Sequence, residues 1–521
     1  MPAAGRKVPM SDPSAPETPR VPSEAGLGRL WRTSSLYLLG NVASRAVGFL
    51  FIPFYSRFLT PAEYGLIELI EVSITIVAIS FGLQSIGPAL TRMFHDQRTP
   101  EGERAVISTG VLFTALVSAL VAAAAVLASA PLSQAVFRSA DEAPLLQAAF
   151  AAMFFGTMIE IVLVYERIRE RAKFFLAYSM TALVATLALN VVFIGVMQIG
   201  VWGFVLSKLI VTSAGSTFLL VRLVRDVGWR WRPAFIPAFV RFGAPLVLSS
   251  LAYFVIHSSN RFFLSASVDL AELGRYALAY RFAILLSILV GDSFKSSWNV
   301  SFFRYTHQDG WQARFAGVGM YFTLVLYTTA LAIAVSGPEL LRVMVPPSYF
   351  PPSLLLPLLL LALVLREVGD LFQTLLLINR RTVLFSQIAL LGAVINVTAN
   401  VLLIPSYGLY GAAAATLLTW AVHMVICCTV AWREHRVPIR VGSFLVMSGL
   451  AGAVFALSEA SRLDAWLPQV ALDGAYVLLF VALCFGFALS AAERATAKGA
   501  ALAGLGRLRA IRSGFSAQVR R

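Results

Sequence analysis

Six basic side chains lie within or close to long apolar stretches of this chain: Arg45, Lys208, Arg261, Arg281, Lys295 and Arg366. An ionisable group in such a place is costly, and it usually faces a protein interior or a wet cavity. Arg45 shares a helical face with Asn41, Ser44 and Gly48, a stripe of small and polar residues around one cation. No carboxylate lies within a turn of it. A planar guanidinium so placed can take an anion such as a diphosphate in bidentate fashion. The alternative is an ion pair with Glu68 or Glu71 of the next stretch, and both readings stay open. Arg261 and Arg281 are further candidates for the same substrate-binding site, with Asn41 as a polar neighbour of Arg45.

The acidic residues suggest a second chemistry. Glu68 and Glu71 are three apart, with Thr75 one turn on. They could bind a proton or Na⁺, or simply be wet near the interface. Arg281, Asp292, Lys295 and Asn299 fall along one stripe, since eleven residues make about three turns. Asp292 and Lys295 can neutralise each other at i,i+3, and Arg366 and Asp370 at i,i+4. Asp292 and Asp370 are the remaining candidates for ion coupling. Glu160 and Lys208 are single charges able to snorkel. His257 and His423, lone histidines on apolar stretches, read as packing residues. There is no Gly-x-x-x-x-Gly-Lys loop and no nucleophile elbow. No catalytic residue, metal or cofactor is therefore expected.

The elements that must hold these groups are membrane helices. Of 521 residues, 58% are hydrophobic and 13% charged, against about half and a quarter in soluble domains. Mean hydropathy is +0.77, which excludes a soluble globular, disordered or fibrous chain. Continuous apolar runs without two-residue alternation favour helices over barrel strands. Runs of about 20 residues place fourteen spans, the second centred on Ile67–Pro88 and the last on Val470–Ser490. With the N-terminus cytoplasmic, the inner segments hold 31 Lys and Arg and the outer ones 5, so both termini are expected inside. Cys427, Cys428 and Cys484 sit in apolar runs and read as unpaired packing residues. Residues 1–29 read as a disordered cytoplasmic tail without a signal-peptide core. Residues 30–225 and 239–434 form two six-helix bundles joined by a linker at 226–238. Residues 435–492 add two spans, and 493–521 form a basic amphipathic tail suited to an anionic lipid surface. Nothing in it calls for nucleic acid.

The chain also repeats itself. Arg57 and Arg261 are 204 residues apart, and Gly200-Val-Trp-Gly203 precedes Gly408-Leu-Tyr-Gly411 by 208. Six spans per half is an even number, so the halves are parallel repeats about an axis along the membrane normal, an arrangement known in transporters. Phe54-Tyr-Ser-Arg57-Phe-Leu-Thr-Pro-Ala-Glu-Tyr-Gly65 and Ser406-Tyr-Gly408-Leu-Tyr-Gly411-Ala-Ala resemble motifs of the polysaccharide transporter, or oligosaccharide flippase, family. That family belongs to the multidrug/oligosaccharidyl-lipid/polysaccharide exporter superfamily, and the resemblance runs over roughly Leu30–Ala492. It implies an all-α integral membrane protein of a bacterial inner membrane that carries a polyprenyl-diphosphate-linked oligosaccharide outward. It also implies membrane lipids as neighbours, with a glycan polymerase and glycosyltransferases as partners. Where an acidic residue is expected just before the seventh-span arginine, this chain has Asn260. A multidrug/cation antiporter and a membrane-embedded glycan polymerase or ligase are the alternatives. The first should have an acidic or aromatic cavity, and the second a large outer loop, which this chain lacks.

Overall fold

The computed structural model describes residues 48–306, 308–378, 382–463 and 465–496. Asn41 and Arg45, the tail at 1–29 and most of the basic tail lie outside the described residues. Every regular element among those described is helical. In chain order they are α1 (Ile52–Phe58), α2 (Pro61–Ser80), α3 (Ile86–His95), α4 (Pro100–Leu127), α5 (Ser129–Phe137) and α6 (Ala143–Ile168). Next come α7 (Ala172–Asn190), α8 (Val201–Val227), α9 (Ile236–Ser258), α10 (Asn260–Ser267), α11 (Leu270–Ala283) and α12 (Asp292–Tyr305). The last are α13 (Trp311–Met344), α14 (Leu355–Gln373), α15 (Thr382–His435), α16 (Val441–Ala460) and α17 (Trp466–Phe487).

Ten helical stretches among the described residues are long and apolar enough to cross a bilayer. One of them, Val383–His435, is two helices merged across Gly408, whose φ of 52° and ψ of −125° break the ladder. Gly200, at the corresponding turn before α8, has φ 58° and ψ −134°. Positive φ of this kind is open to glycine at little cost, so the two Gly-x-aromatic-Gly motifs make the same corner. The expected second span is interrupted: α2 ends at Ser80, Gly82 takes φ 72°, and α3 restarts at Ile86. The tenth expected span is α14, extended by a 3₁₀ turn at Thr374–Leu377. Cys427 and Cys484 are buried, Cys428 is half-buried, and all three are free.

Two helices set the geometry of the centre. Thr60 caps α2 by accepting from the Glu63 amide, and Glu63 returns a carboxylate to the Thr60 amide. Asp269 caps α11 by accepting from the Glu272 amide at 2.7 Å. One turn into each helix stands a glycine, Gly65 or Gly274. A Cβ added to Gly65 would strike the Leu270 carbonyl oxygen, and one added to Gly274 would strike that of Pro61. The helices therefore cross backbone against backbone, each glycine under the other helix's first turn. The reciprocity marks Gly65 and Gly274, 209 residues apart, as equivalents. Arg57 and Arg261 are not matched in surroundings, since the first is exposed and the second buried. The same end of the bundle is tied by Tyr349 Oη donating to the Leu59 carbonyl at 2.8 Å, and by Ser56 Oγ to that of Met344 at 3.4 Å.

Candidate functional site

The α2–α11 crossing brings Glu68 and Arg281 together, and Arg261 of the short α10 reaches the same carboxylate. Arg261 Nε lies 3.3 Å from Glu68 Oε1, and an Arg281 Nη lies 3.4 Å from Glu68 Oε2. One carboxylate thus serves two guanidiniums, and this trio keeps one positive charge in excess. Arg261 is buried to 4% exposure, lies over the Tyr280 ring at 4.4 Å, and donates to the His257 carbonyl at 2.6 Å. Asn260, standing where an acid was expected, accepts from Arg261 at 2.9 Å while donating to Tyr276 Oη at 2.5 Å. The carboxylate for Arg261 comes from another helix instead. Arg281 lies over Tyr64 at 5.3 Å, with 39% of its side chain exposed. It is the member of the trio that an incoming anion can reach.

Glu71, one turn beyond Glu68, pairs with Lys208 of α8 at 2.6 Å. Both side chains are about one-third exposed, at 33% and 30%. The carboxylates suggested as partners for Arg45 are therefore both engaged by other cations.

A second cluster lies within the later half of the chain. Lys295 Nζ sits 2.8 Å from Glu367 Oε2 and 2.7 Å from Asp370 Oδ2. The expected pairing of Lys295 along its own helix is replaced by a bridge from α12 to α14, because the buried Glu367 has no other cation at this distance among the described residues. Ser287 Oγ donates to the other Glu367 oxygen at 2.7 Å. Arg366 Nε and Asp370 Oδ2, the expected i,i+4 pair, are 3.7 Å apart. His423 Nε2 lies 3.5 Å from Asp370 Oδ1, and Arg366 covers the Trp420 ring at 5.5 Å. Asp292 opens α12, half-buried and one turn before Lys295.

Three further cavities and contacts bear on a ligand. Glu160 lines a cavity of about 560 Å³ together with Gln84, Thr91 and Thr157, so it faces polar company rather than the interface alone. An apolar cavity of about 770 Å³ runs between α13, α14, α15 and α16, with Met320, Phe372, Met424 and Phe444 in its wall. Its mouth carries Arg440 and Glu493, which form an ion pair. Burial pushes the Glu493 carboxyl up, but hydrogen bonds from Ser490 and Arg440 outweigh it and hold the group below the usual carboxylate range.

Of the residues singled out by spacing, Arg261, Arg281 and Glu68 meet. Glu71 and Asp370 belong to neighbouring ion pairs, and Asn41 and Arg45 fall outside the described residues. Sequence reasoning missed the tyrosines Tyr64, Tyr276 and Tyr280 that flank the arginines. Tyr276 and Tyr280 are one turn apart on the stretch that carries Arg281, which was a usable signal. It also missed Lys208 as the partner of Glu71 and Glu367 as that of Lys295, pairs that only tertiary packing creates.

Residues 30–298 match the family described as "Polysaccharide biosynthesis protein". Among curated proteins, a protein of the Lsg locus of Haemophilus influenzae is 23% identical over 272 residues. That match spans 50% of this chain and 63% of the relative's length. Among solved structures, the lipid II flippase MurJ in an inward closed conformation superposes with a TM-score of 0.69 at 13% identity, covering 86% of this chain and 98% of that one. An inward-facing multidrug resistance MATE family transporter superposes at 0.56 with 17% identity, covering 77% and 94%. The fold is that of these multi-pass membrane transporters.

Proposed function

The chain belongs to the polysaccharide biosynthesis protein family, and from that premise we propose that it is a flippase for a polyprenyl-diphosphate-linked oligosaccharide in a bacterial inner membrane. The observation that carries this reading is the trio at the α2–α11 crossing, where two arginines share one carboxylate. A surplus cation within the membrane suits a diphosphate and repels the organic cations that an antiporter exports. Glu68 holds both guanidiniums in place while the site is empty, and the half-exposed Arg281 swings to the anion on binding. Arg45 and Asn41 join them from the first span. The glycan occupies the polar interior, and the apolar cavity between α13 and α16 takes the first part of the polyprenyl chain.

Translocation follows by alternating access of the two six-helix halves. The α2–α11 crossing and the Tyr349–Leu59 bond close the end that the charge pattern assigns to the outside. Opening that end must separate Gly65 from Gly274. No nucleotide-binding motif is present in the sequence, so an ion gradient drives the cycle. Glu71, paired among the described residues with Lys208 and one-third exposed, is the carboxylate best placed to exchange its partner for a proton or Na⁺. Glu68 and Asp370 are each engaged by more than one basic group, and Asp292 lies beside that second cluster. The glycan polymerase and glycosyltransferases act on the two faces of the membrane that this step connects.

The test is reconstitution into vesicles with a fluorescent polyprenyl-diphosphate-linked saccharide in one leaflet. The expected result is protein-dependent transfer to the other leaflet, lost in an Arg281→Ala/Arg261→Ala double variant that still folds. Transfer of an organic cation with no transfer of the lipid would replace this reading by the antiporter.

A further inference from the structure

Only 11% of the most apolar stretch of Ala172–Val196 and 22% of that of Val201–Val227 is buried, so α7 and α8 present most of their surface to lipid. Between them runs a groove of about 540 Å³, and among the described residues both of its walls come from these two helices alone. Ala177, Thr181, Ala185, Ala214 and Gly215 keep its middle narrow-walled and open. From Phe174 to Leu189 it extends about 22 Å at 1.5 Å per residue. That exceeds half of a ~30 Å hydrocarbon core, so one acyl chain of a single leaflet can lie along it.

The mouth of the groove is charged, although none of its lining side chains is. At the end that the charge pattern assigns to the cytoplasm, Phe174 stacks on Phe218 at 6.4 Å, and the Arg222 guanidinium lies over Phe174 at 4.3 Å. Arg225 continues the face of Gly215, Phe218 and Arg222 on α8, and Lys173 precedes Ala177 by one turn on α7. Buried Glu166 holds Arg222 at 3.1 Å and Arg171 at 3.3 Å, and Asp226 holds Arg171 at 2.7 Å. Lys173 and Arg225 are exposed, with no carboxylate partner among the described residues. Two carboxylates thus stand against four basic side chains, and the mouth keeps two positive charges.

One polar group on the wall is also unspent. Tyr178 Oη is buried and makes no hydrogen bond among the described residues. It lies against Gly215, where an added Cβ would strike it. Tyr178 stands one turn, about 6 Å, deeper than Phe174. A glycerophospholipid carries its groups in this order. Its phosphate meets Lys173, Arg222 and Arg225, an ester carbonyl one step below accepts from Tyr178, and an acyl chain follows the small side chains. A second copy of this chain does not match, because a two-fold contact across this face would set the surplus cations against their own images. We propose that the α7–α8 groove is a binding site for an anionic glycerophospholipid of the cytoplasmic leaflet. It is separate from the diphosphate site on α2, α10 and α11, and it does not depend on what the protein transports.

The experiment is native mass spectrometry of the purified full chain in detergent. The probes are phosphatidylglycerol, phosphatidylcholine with the same acyl chains, and a polyprenyl monophosphate. The tightest phosphatidylglycerol should bind about 30-fold more strongly than phosphatidylcholine, the worth of two unpaired basic side chains beside an anionic headgroup. A Lys173→Gln/Arg225→Gln double variant should remove that preference. Ala214→Trp, which fills the groove from an exposed position, should abolish tight binding of both phospholipids, and neither change should lower the melting temperature. Tyr178→Phe should weaken both phospholipids about fivefold and keep their ratio; unchanged binding would overturn the placing of the ester carbonyl. Equal binding of the two phospholipids by the wild type would overturn the site, as would a preference that survives the double variant and Ala214→Trp. Displacement of phosphatidylglycerol by an equal concentration of the polyprenyl monophosphate would give the groove to the carrier lipid instead. A dimer that Ala214→Trp abolishes would give it to a second copy, and either result would overturn the proposal.

Discussion

Replacing Arg281 by alanine separates recognition from folding, because this arginine is in the trio without being buried in it. Its side chain is 39% exposed and its distance to Glu68 is 3.4 Å. A unit charge about 4 Å from a diphosphate oxygen is worth about 4 kcal/mol at an effective dielectric near 20. Solvent screening of a side chain this exposed removes at least half of that, leaving about 1.5–2 kcal/mol. At 1.4 kcal/mol per decade, the variant should bind a polyprenyl diphosphate roughly 10–30-fold more weakly. Stability should change by less than about 1 kcal/mol, the range of exposed ion pairs, because Glu68 keeps Arg261 as its partner. Arg281→Lys should recover only part of the affinity, since an ammonium cannot form the planar two-point contact. The assay is a diphosphate titration followed by Trp fluorescence, with a thermal melt of the same samples. Wild-type affinity in a folded Arg281→Ala protein would refute the assignment. A collapse of the melt would refute the claim that this arginine is structurally expendable.

Other expectations follow from the same contacts. Glu68→Gln leaves the 4%-exposed Arg261 without its carboxylate and should cost about 3–5 kcal/mol, seen as a large drop in melting temperature; an unchanged melt would mean that the tyrosine and carbonyl contacts suffice. Gly274→Val places a side chain against the Pro61 carbonyl, so flipping should fall by at least tenfold while the protein remains inserted, and full activity would show that this crossing need not close. Reporters fused after Asp96, Arg169, Arg230 and Arg436 should read cytoplasmic, and those after Ser139 and Leu270 outside; an inversion beyond any one of them would remove the parallel-halves argument. The Arg440–Glu493 pair stabilises above the unfolded carboxylate pKa and is lost as pH falls through the lowered folded value. Glu493→Gln should therefore melt below wild type at neutral pH and converge with it in acid, whereas a constant gap would contradict the linkage.

Much of this protein was legible in its residues because lipid leaves the chain few choices. Backbone groups in hydrocarbon must bond internally, so apolar runs such as Ala105–Phe137 could only be helices, and Gly200 and Gly408 could be read as matching corners from glycine spacing alone. The same cost argument singled out Arg261, Arg281, Glu68 and Asp370, since a charge in lipid needs a reason wherever it lies. What remained hidden was which charges meet. Spacing along one helix suggested Asp292 for Lys295, but Lys295 reaches Glu367 and Asp370 on α14. It also gave no carboxylate to Arg261, whose partner Glu68 lies 193 residues away. Helical periodicity reports the face on which a residue stands, not the helix opposite that face. The α2–α11 crossing is decided by two glycines whose missing side chains let backbones touch, and it aligns Glu68 with Arg281, while α10 brings in Arg261. The groove between α7 and α8 draws its walls from two separate stretches, so no single stretch of sequence carried its pattern.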